Sequence, residues 1–186
     1  GDVNLAYPVG KNQAACPGET FLTPLQAASC AGHASVVKKL LDNKANPDLA
    51  TRAGRKVPLF LALDNGREDI VRLLVEGGAN PDVGDAGGNT ALMVAARKGN
   101  GSLAGFLLKH GASAHLVNRD GETALMQASD LNMAKMLVNQ GSDPFQKSAR
   151  GESPLQVATR KGNAEAAGYF RELEEQSRRG LEKEMA

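Results

Sequence analysis

The sequence contains no tryptophan, and phenylalanine and tyrosine make up only 4% of it. So little aromatic surface leaves few platforms for stacked bases, the usual anchor of single-stranded nucleic acid. Charge of one sign is lacking too: 22 Lys and Arg face 21 Asp and Glu, a formal +1 with no acidic or basic tail. Net charge therefore nominates no partner. Long apolar runs are missing. The longest, Val57 to Leu63 with Pro58 inside it, is far below the roughly 20 residues that a bilayer crossing takes, so the chain is expected to be soluble, with no membrane contact. No leader is visible, yet the chain starts at Gly1 and not at Met. The cytoplasm is one expectation; the periplasm or exterior is the other, if a leader preceded Gly1.

What the sequence does contain is a repeated frame. Thr23-Pro24-Leu25-Gln26-Ala27-Ala28 opens like a helix, with a hydroxyl to cap the first free N–H groups and a proline at the first helical position. Gly32 suits the left-handed residue that closes such a helix, and Val36, Val37, Leu40 and Leu41 give a second helix one apolar stripe. The frame returns at Val57-Pro58-Leu59 with Gly66, Thr90-Ala91-Leu92 with Gly99, Thr123-Ala124-Leu125, and Ser153-Pro154-Leu155 with Gly162, at steps of about 34, 33, 33 and 30 residues. A period of that length marks a stack of helix-turn-helix units, each too small to bury its own apolar face.

These residues resemble the ankyrin repeat. The likeness is carried by Thr23-Pro24-Leu25, by Gly32-His33, by the Leu-Leu pairs near each second helix, and by Gly78-Ala79 and Gly111-Ala112 after them. It implies an all-α repeat solenoid of about five repeats joined by β-hairpin-like loops. The expected organisation is an N-terminal capping arm over residues 1–19, a repeat domain over 20–176, and a helix end or tail over 177–186.

The copies depart from the frame in ways that carry expectations. The arm holds Pro8, Gly10, Pro17 and Gly18 without an apolar period, and Leu5, Tyr7 and Val9 are its expected anchors over the open end of the stack. Cys16 and Cys30 lie seven residues on either side of Thr23, so a folded-back loop would bring them together. Spacing alone does not establish disulfide geometry, and the reading preferred is two reduced cysteines, one of them packed. A bridge would clamp the arm and argue for an oxidising compartment. In the second copy Val57 stands where a capping hydroxyl belongs, a loss of about 1 kcal/mol that apolar packing should offset. The tip at 52–56 should project slightly further than the others. The fourth copy is about three residues short at its inter-helix turn, where Asp130-Leu131-Asn132 leaves no Gly-His step. Either the turn is tightened or the first helix is cut short. Phe145 is expected as core or contact. The fifth copy should continue into a polar capping helix that Gly180 ends.

Chemistry is sparse. His33 falls on the family's Gly-His turn, where a structural hydrogen-bonding role is expected, and His110 and His115 have no Cys or carboxylate at metal-ligand spacing beside them. Gly99-Asn100-Gly101-Ser102 lies between two helices, not between a strand and a helix, so it is no phosphate loop. Exposed turn acids at Asp82, Asp85, Asp120 and Glu122 are expected to be solvated. No cofactor, metal or catalysis is expected.

Resemblance to ankyrin proteins implies that hairpin tips and first-helix ends form the contact surface. On this frame the tips carry Arg52, Arg55, Lys56, Asn89, Arg119, Glu122, Lys147, Arg150 and Glu152, and the helix ends carry Asp64, Asn65, Arg97, Lys98, Arg160 and Lys161. Basic residues dominate although the chain is nearly neutral, and such a cluster steers an acidic partner. The expected function is a non-catalytic protein-binding module, monomeric when free, that binds and regulates or inhibits a partner protein such as an enzyme. Scaffolding without inhibition is an alternative; nucleic-acid binding by the same face is another, weakened by the missing aromatics.

Overall fold

The computed structural model describes residues 2–8, 16, 19, 21–52 and 56–184. Among them are ten helices and one two-stranded antiparallel ladder, which puts the chain in the all-α repeat solenoid class. The chain divides into two compact units, Gly1–Ala86 and Gly87–Ala186.

The first unit holds strands β1 (Tyr7–Pro8) and β2 (Phe21–Leu22) and helices α1 (Pro24–Ala31), α2 (Ala34–Asp42), α3 (Pro58–Asp64) and α4 (Glu68–Glu76). At the start of α1 the Thr23 Oγ1 accepts from the Gln26 N–H at 3.2 Å, and Gln26 Oε1 accepts from the Thr23 N–H at 2.8 Å. This reciprocal pair satisfies two donors that a helix start leaves open. Gly32 ends α1 at φ 81°, in the left-handed region. Helix α3 begins at Val57 with no side-chain cap, yet every residue from Pro58 to Leu63 is buried. One buried leucine contributes about 1.5–3 kcal/mol, which outweighs a missing cap. Helix α1 packs on α2 and α3, and α4 packs on α2 and α3, so each helix of a pair is covered by its neighbour's.

The N-terminal arm is held differently from the expectation. Leu5 and Tyr7 are 52% and 53% exposed, so neither buries an apolar side chain, and Val9 lies outside the described residues. The anchor is Cys16, which is disulfide-bonded to Cys30 with Cα atoms 5.8 Å apart. The expected pair of reduced cysteines is thereby corrected. Tyr7 pairs with Leu22 and Pro8 with Phe21, which turns the arm back across the entry to α1. Both cysteines are buried beside Leu22 and Leu61. Two polar contacts hold the rest: Asn4 Oδ1 accepts from the Asn46 N–H at 2.7 Å, and Glu19 Oε1 accepts from Thr51 Oγ1 at 2.9 Å. The expected projection of the 52–56 tip falls on residues 53–55, outside the described residues.

The second unit holds α5 (Ala91–Arg97), α6 (Gly101–Lys109), α7 (Ala124–Gln127), α8 (Leu131–Asn139), α9 (Pro154–Arg160) and α10 (Ala164–Glu184). Thr90, Thr123 and Ser153 each cap a first helix through a side-chain oxygen. Helix α7 packs on α5, α8 and α9, and α10 on α8 and α9. The loops between pairs close as small hairpins, with the Asn118 N–H on Glu122 O at 3.0 Å and the Ser148 N–H on Glu152 O at 2.9 Å. Successive hairpins are stitched together, since the Arg119 N–H donates to Gly87 O and the Ala149 N–H to Asp120 O, both at 2.9 Å.

Two further expectations change here. Gly180 does not stop α10, which continues to Glu184. A glycine ends a helix by turning left-handed, and Gly180 keeps a negative φ amid good helix formers, so it costs about 1 kcal/mol and no more. Phe145 is 42% exposed and is not core.

Candidate protein-binding site

The site is built around the clipped fourth copy. Helix α7 has four residues where α5 and α9 have seven, so the shortfall lies in the first helix. Cutting a helix short strands carbonyls and N–H groups that the next turn would have used. Neighbouring repeats supply the partners. The Ser129 N–H donates to Ala96 O at 3.1 Å, Asn163 Nδ2 donates to Ser129 O at 3.0 Å, and Lys161 Nζ donates to Met126 O at 2.9 Å. Asp130 then starts α8 by accepting from the Met133 N–H at 2.8 Å.

The missing turn leaves a notch of about 420 Å³ between the end of α5 and the end of α9. Its walls carry Arg97 and Lys161, its floor Gln127, and its rim Asn89, Arg119, Asp120 and Glu122. A relay of amides runs beneath: Asn89 Oδ1 accepts from Asn118 Nδ2 at 2.9 Å and from Gln127 Nε2 at 3.1 Å, and Gln127 Oε1 accepts from Arg97 Nη1 at 3.4 Å. Gln127 is buried, so its amide had to find partners on both ends.

Electrostatics sort the cations into used and available. Arg160 makes a two-pronged pair with Glu152, Nε to Oε1 at 2.9 Å and Nη2 to Oε2 at 3.0 Å, and lies 3.6 Å from Glu122. That hydrogen bond holds the Glu152 carboxyl below its usual range and raises Arg160 above its own. Lys161 is pushed below the ordinary lysine range, first by burial of its ammonium and then by Arg160 and Arg97, against the opposite pull of Glu122 and Glu152. Arg97 and Arg119 are exposed, and Arg119 has no side-chain partner among the described residues.

The expected contact residues thus fall into two groups. Asn89, Arg97, Arg119, Glu122 and Lys161 meet at the notch, whereas Arg160 is bound up in ion pairs beside it. Lys98 and Arg150 are exposed in the same unit, without lining the notch. Of the residues in the first unit, Arg52 lies 5.6 Å over the Phe21 ring and Lys56 pairs with Asp64, so both have local partners; Arg55 lies outside the described residues. Sequence reasoning overlooked Gln127 and Asn118. The signal was present for Gln127: four residues after the cap the other copies carry Ala27, Leu61, Val94 and Val157, and only here an amide.

The histidines also find their places. The His33 ring is exposed and caps nothing; its carbonyl, accepting from Val36 and Val37, carries the turn in place of the expected ring contact. His110 Nδ1 sits 2.9 Å from Phe106 O, a bond within its own helix end. Among the described residues no cluster of three or more His, Cys, Asp and Glu is arranged for a metal ion.

A family model described as ankyrin repeats in three copies matches residues 4–85 and again residues 77–148. The chain belongs to the ankyrin-repeat family. No curated protein matches it. Ankyrin repeats are in general protein–protein interaction modules, and ankyrin-repeat proteins are typically non-catalytic. In this ankyrin-repeat chain, the described helices include none long and apolar enough to cross a membrane.

Proposed function

We propose that this ankyrin-repeat protein binds an acidic surface of a partner protein through the hairpin-tip and first-helix-end face of its second unit, and regulates the partner by covering that surface. The observation that supports this reading is the convergence of Arg97, Arg119 and Lys161 on one notch whose acids are already engaged or confined to its rim. Arginine is enriched among residues that dominate binding energy, and a one-sign cluster speeds encounter with the opposite sign. An enzyme whose cleft is lined with carboxylates is a natural target, because rigid projecting hairpins block a cleft without chemistry. Asn89, Glu122 and Gln127 set the register, Lys98 and Arg150 extend the positive field, and Arg160, neutralised by Glu152, braces the rim.

The test is quantitative capture of the partner by wild-type protein and by the triple variant R97E/R119E/R150E. All three side chains are exposed, so circular dichroism should be unchanged while capture drops by tenfold or more, about 1.4 kcal/mol. Undiminished capture overturns the assignment of this face. Salt-sensitive binding of random oligonucleotides, lost in the same variant, would favour nucleic acid as the ligand.

A further inference from the structure

The geometry points to a narrower role for the notch beside α7: a seat for one carboxylate side chain, an aspartate or glutamate on an extended segment of the partner. This deepens the reading just given and rests on it. The clipped helix makes the cavity, and the two flanking repeats supply the charge from opposite sides, Arg97 from the end of α5 and Lys161 from just past the end of α9. Both are held in place before anything binds. The amide of Gln127 receives Arg97 Nη1 while its own Nε2 is tied to Asn89, so one prong of the guanidinium is fixed from behind. A guanidinium carries five N–H donors, which leaves others on a side chain that lines the cavity. Lys161 uses one of its three donors on Met126 O.

A cation drawn into partly dry surroundings is short of counter-charge. Lys161 is exposed as a residue, but its ammonium sits part-buried against Met126 O, where partial desolvation and the cations Arg160 and Arg97 disfavour its charge, and an incoming anion would restore it. Its nearest acids offset this only in part, because Glu122 is shared with Arg160 and Glu152 is gripped by Arg160 on both oxygens. The planar, two-oxygen shape of a carboxylate suits an arginine fork. A single negative charge also suits the site better than a phosphate dianion, whose second charge would face Asp120 and Glu122 on the rim.

The probe is a short end-blocked peptide of alternating Asp and Glu, titrated into the full chain while the side-chain amide signals of Gln127, Asn89 and Asn118 are followed by NMR. Saturable shifts are expected, with affinity falling by about tenfold or more in R97Q/K161Q and unchanged in R171Q, on an exposed part of α10. Arg97 and Lys161 are both exposed and glutamine is polar, so the fold should be retained, which thermal denaturation checks. The proposal is overturned if the double variant binds as well as wild type, if the Asn/Gln version of the peptide shifts the same signals, or if inorganic phosphate reproduces the effect at equal concentration. Absence of shifts with wild type also overturns the seat. It leaves the broader face standing if R97E/R119E/R150E still loses the partner, so the two readings fail separately.

Discussion

Glu152 is a carboxylate whose surroundings depart clearly from those of a free one. Its folded pKa is lowered chiefly by the hydrogen bond from Arg160, with charge from Arg160, Arg150 and Lys161 adding to it against some desolvation. A depressed carboxylate pKa contributes stability that is fully present above the unfolded value and fades as pH falls through the folded value. Arg160 has the opposite shift, upward, so its share is present at every pH below its unfolded pKa and is lost only in strong alkali. On the acid side, therefore, Glu152 alone governs the pair. In a carbon-13 carboxyl titration Glu152 should be among the last glutamates to protonate as acid is added. Arg160→Gln should move its midpoint up toward the ordinary range. A midpoint that stays put would mean that the pairing does not set it. At this scale the sequence was partly legible. Basic residues at first-helix ends were evident, but nothing in the linear order says that Arg160 is consumed by its own repeat while Arg97 and Lys161 turn to the notch.

At the scale of elements, the hairpins depend on how closely one can lie on the next. Gly121 and Gly151 occupy equivalent hairpins, with φ of 70° and 77°. A side chain at Gly151 would meet open space, whereas a Cβ at Gly121 would run into the Ala149 backbone nitrogen, which donates to Asp120 O at 2.9 Å. Both alanine variants incur the left-handed strain of about 1–2 kcal/mol. Only Gly121→Ala must also push two hairpins apart, so its loss of stability in urea denaturation should exceed that of Gly151→Ala by about 1 kcal/mol or more. Equal losses would show that the hairpins yield freely. The caps, the first-helix starts and the period were legible because each depends on a few neighbouring residues. The clipped fourth copy was legible as a count, yet its consequence was not: the groups left open by the short α7 are met by Ala96, Lys161 and Asn163, which are distant in sequence. The continuation of α10 through Gly180 was misread because a glycine's permission to turn is not an instruction to do so.

At the scale of the whole molecule, ankyrin repeats in general pack on their sequence neighbours, and the terminal repeats of such an array need a cover. The two ends are treated differently. The C-terminal end is covered by the long polar helix α10, which buries its own Ala166, Ala167 and Phe170 and carries Glu175 and Arg179, paired at 3.7 Å, on an exposed face. Among the described residues at the N-terminal end, regular structure before α1 is β1 and β2, of two residues each, and the arm is fastened by one covalent bond. A cross-link that closes a loop of about 15 residues is worth about 3 kcal/mol in the chain-entropy account. Reduction, or the pair C16S/C30S, should therefore loosen the first unit locally and leave the second as it was. Hydrogen exchange separates these outcomes. Amide protection should fall at Leu22, along α1 and in α3 around Leu61, where Cys30 and Leu61 lose their cover, while α5 and α7 keep theirs. Protection lost equally in both units would mean that the chain unfolds as one cooperative block. Protection unchanged everywhere would mean that the β1–β2 ladder and the Asn4 and Glu19 contacts already hold the arm. The expected local loss ties function to environment, because a disulfide persists where the surroundings are oxidising. The notch, built wholly from the second unit, should go on binding its acidic peptide under reductant even as the arm comes free.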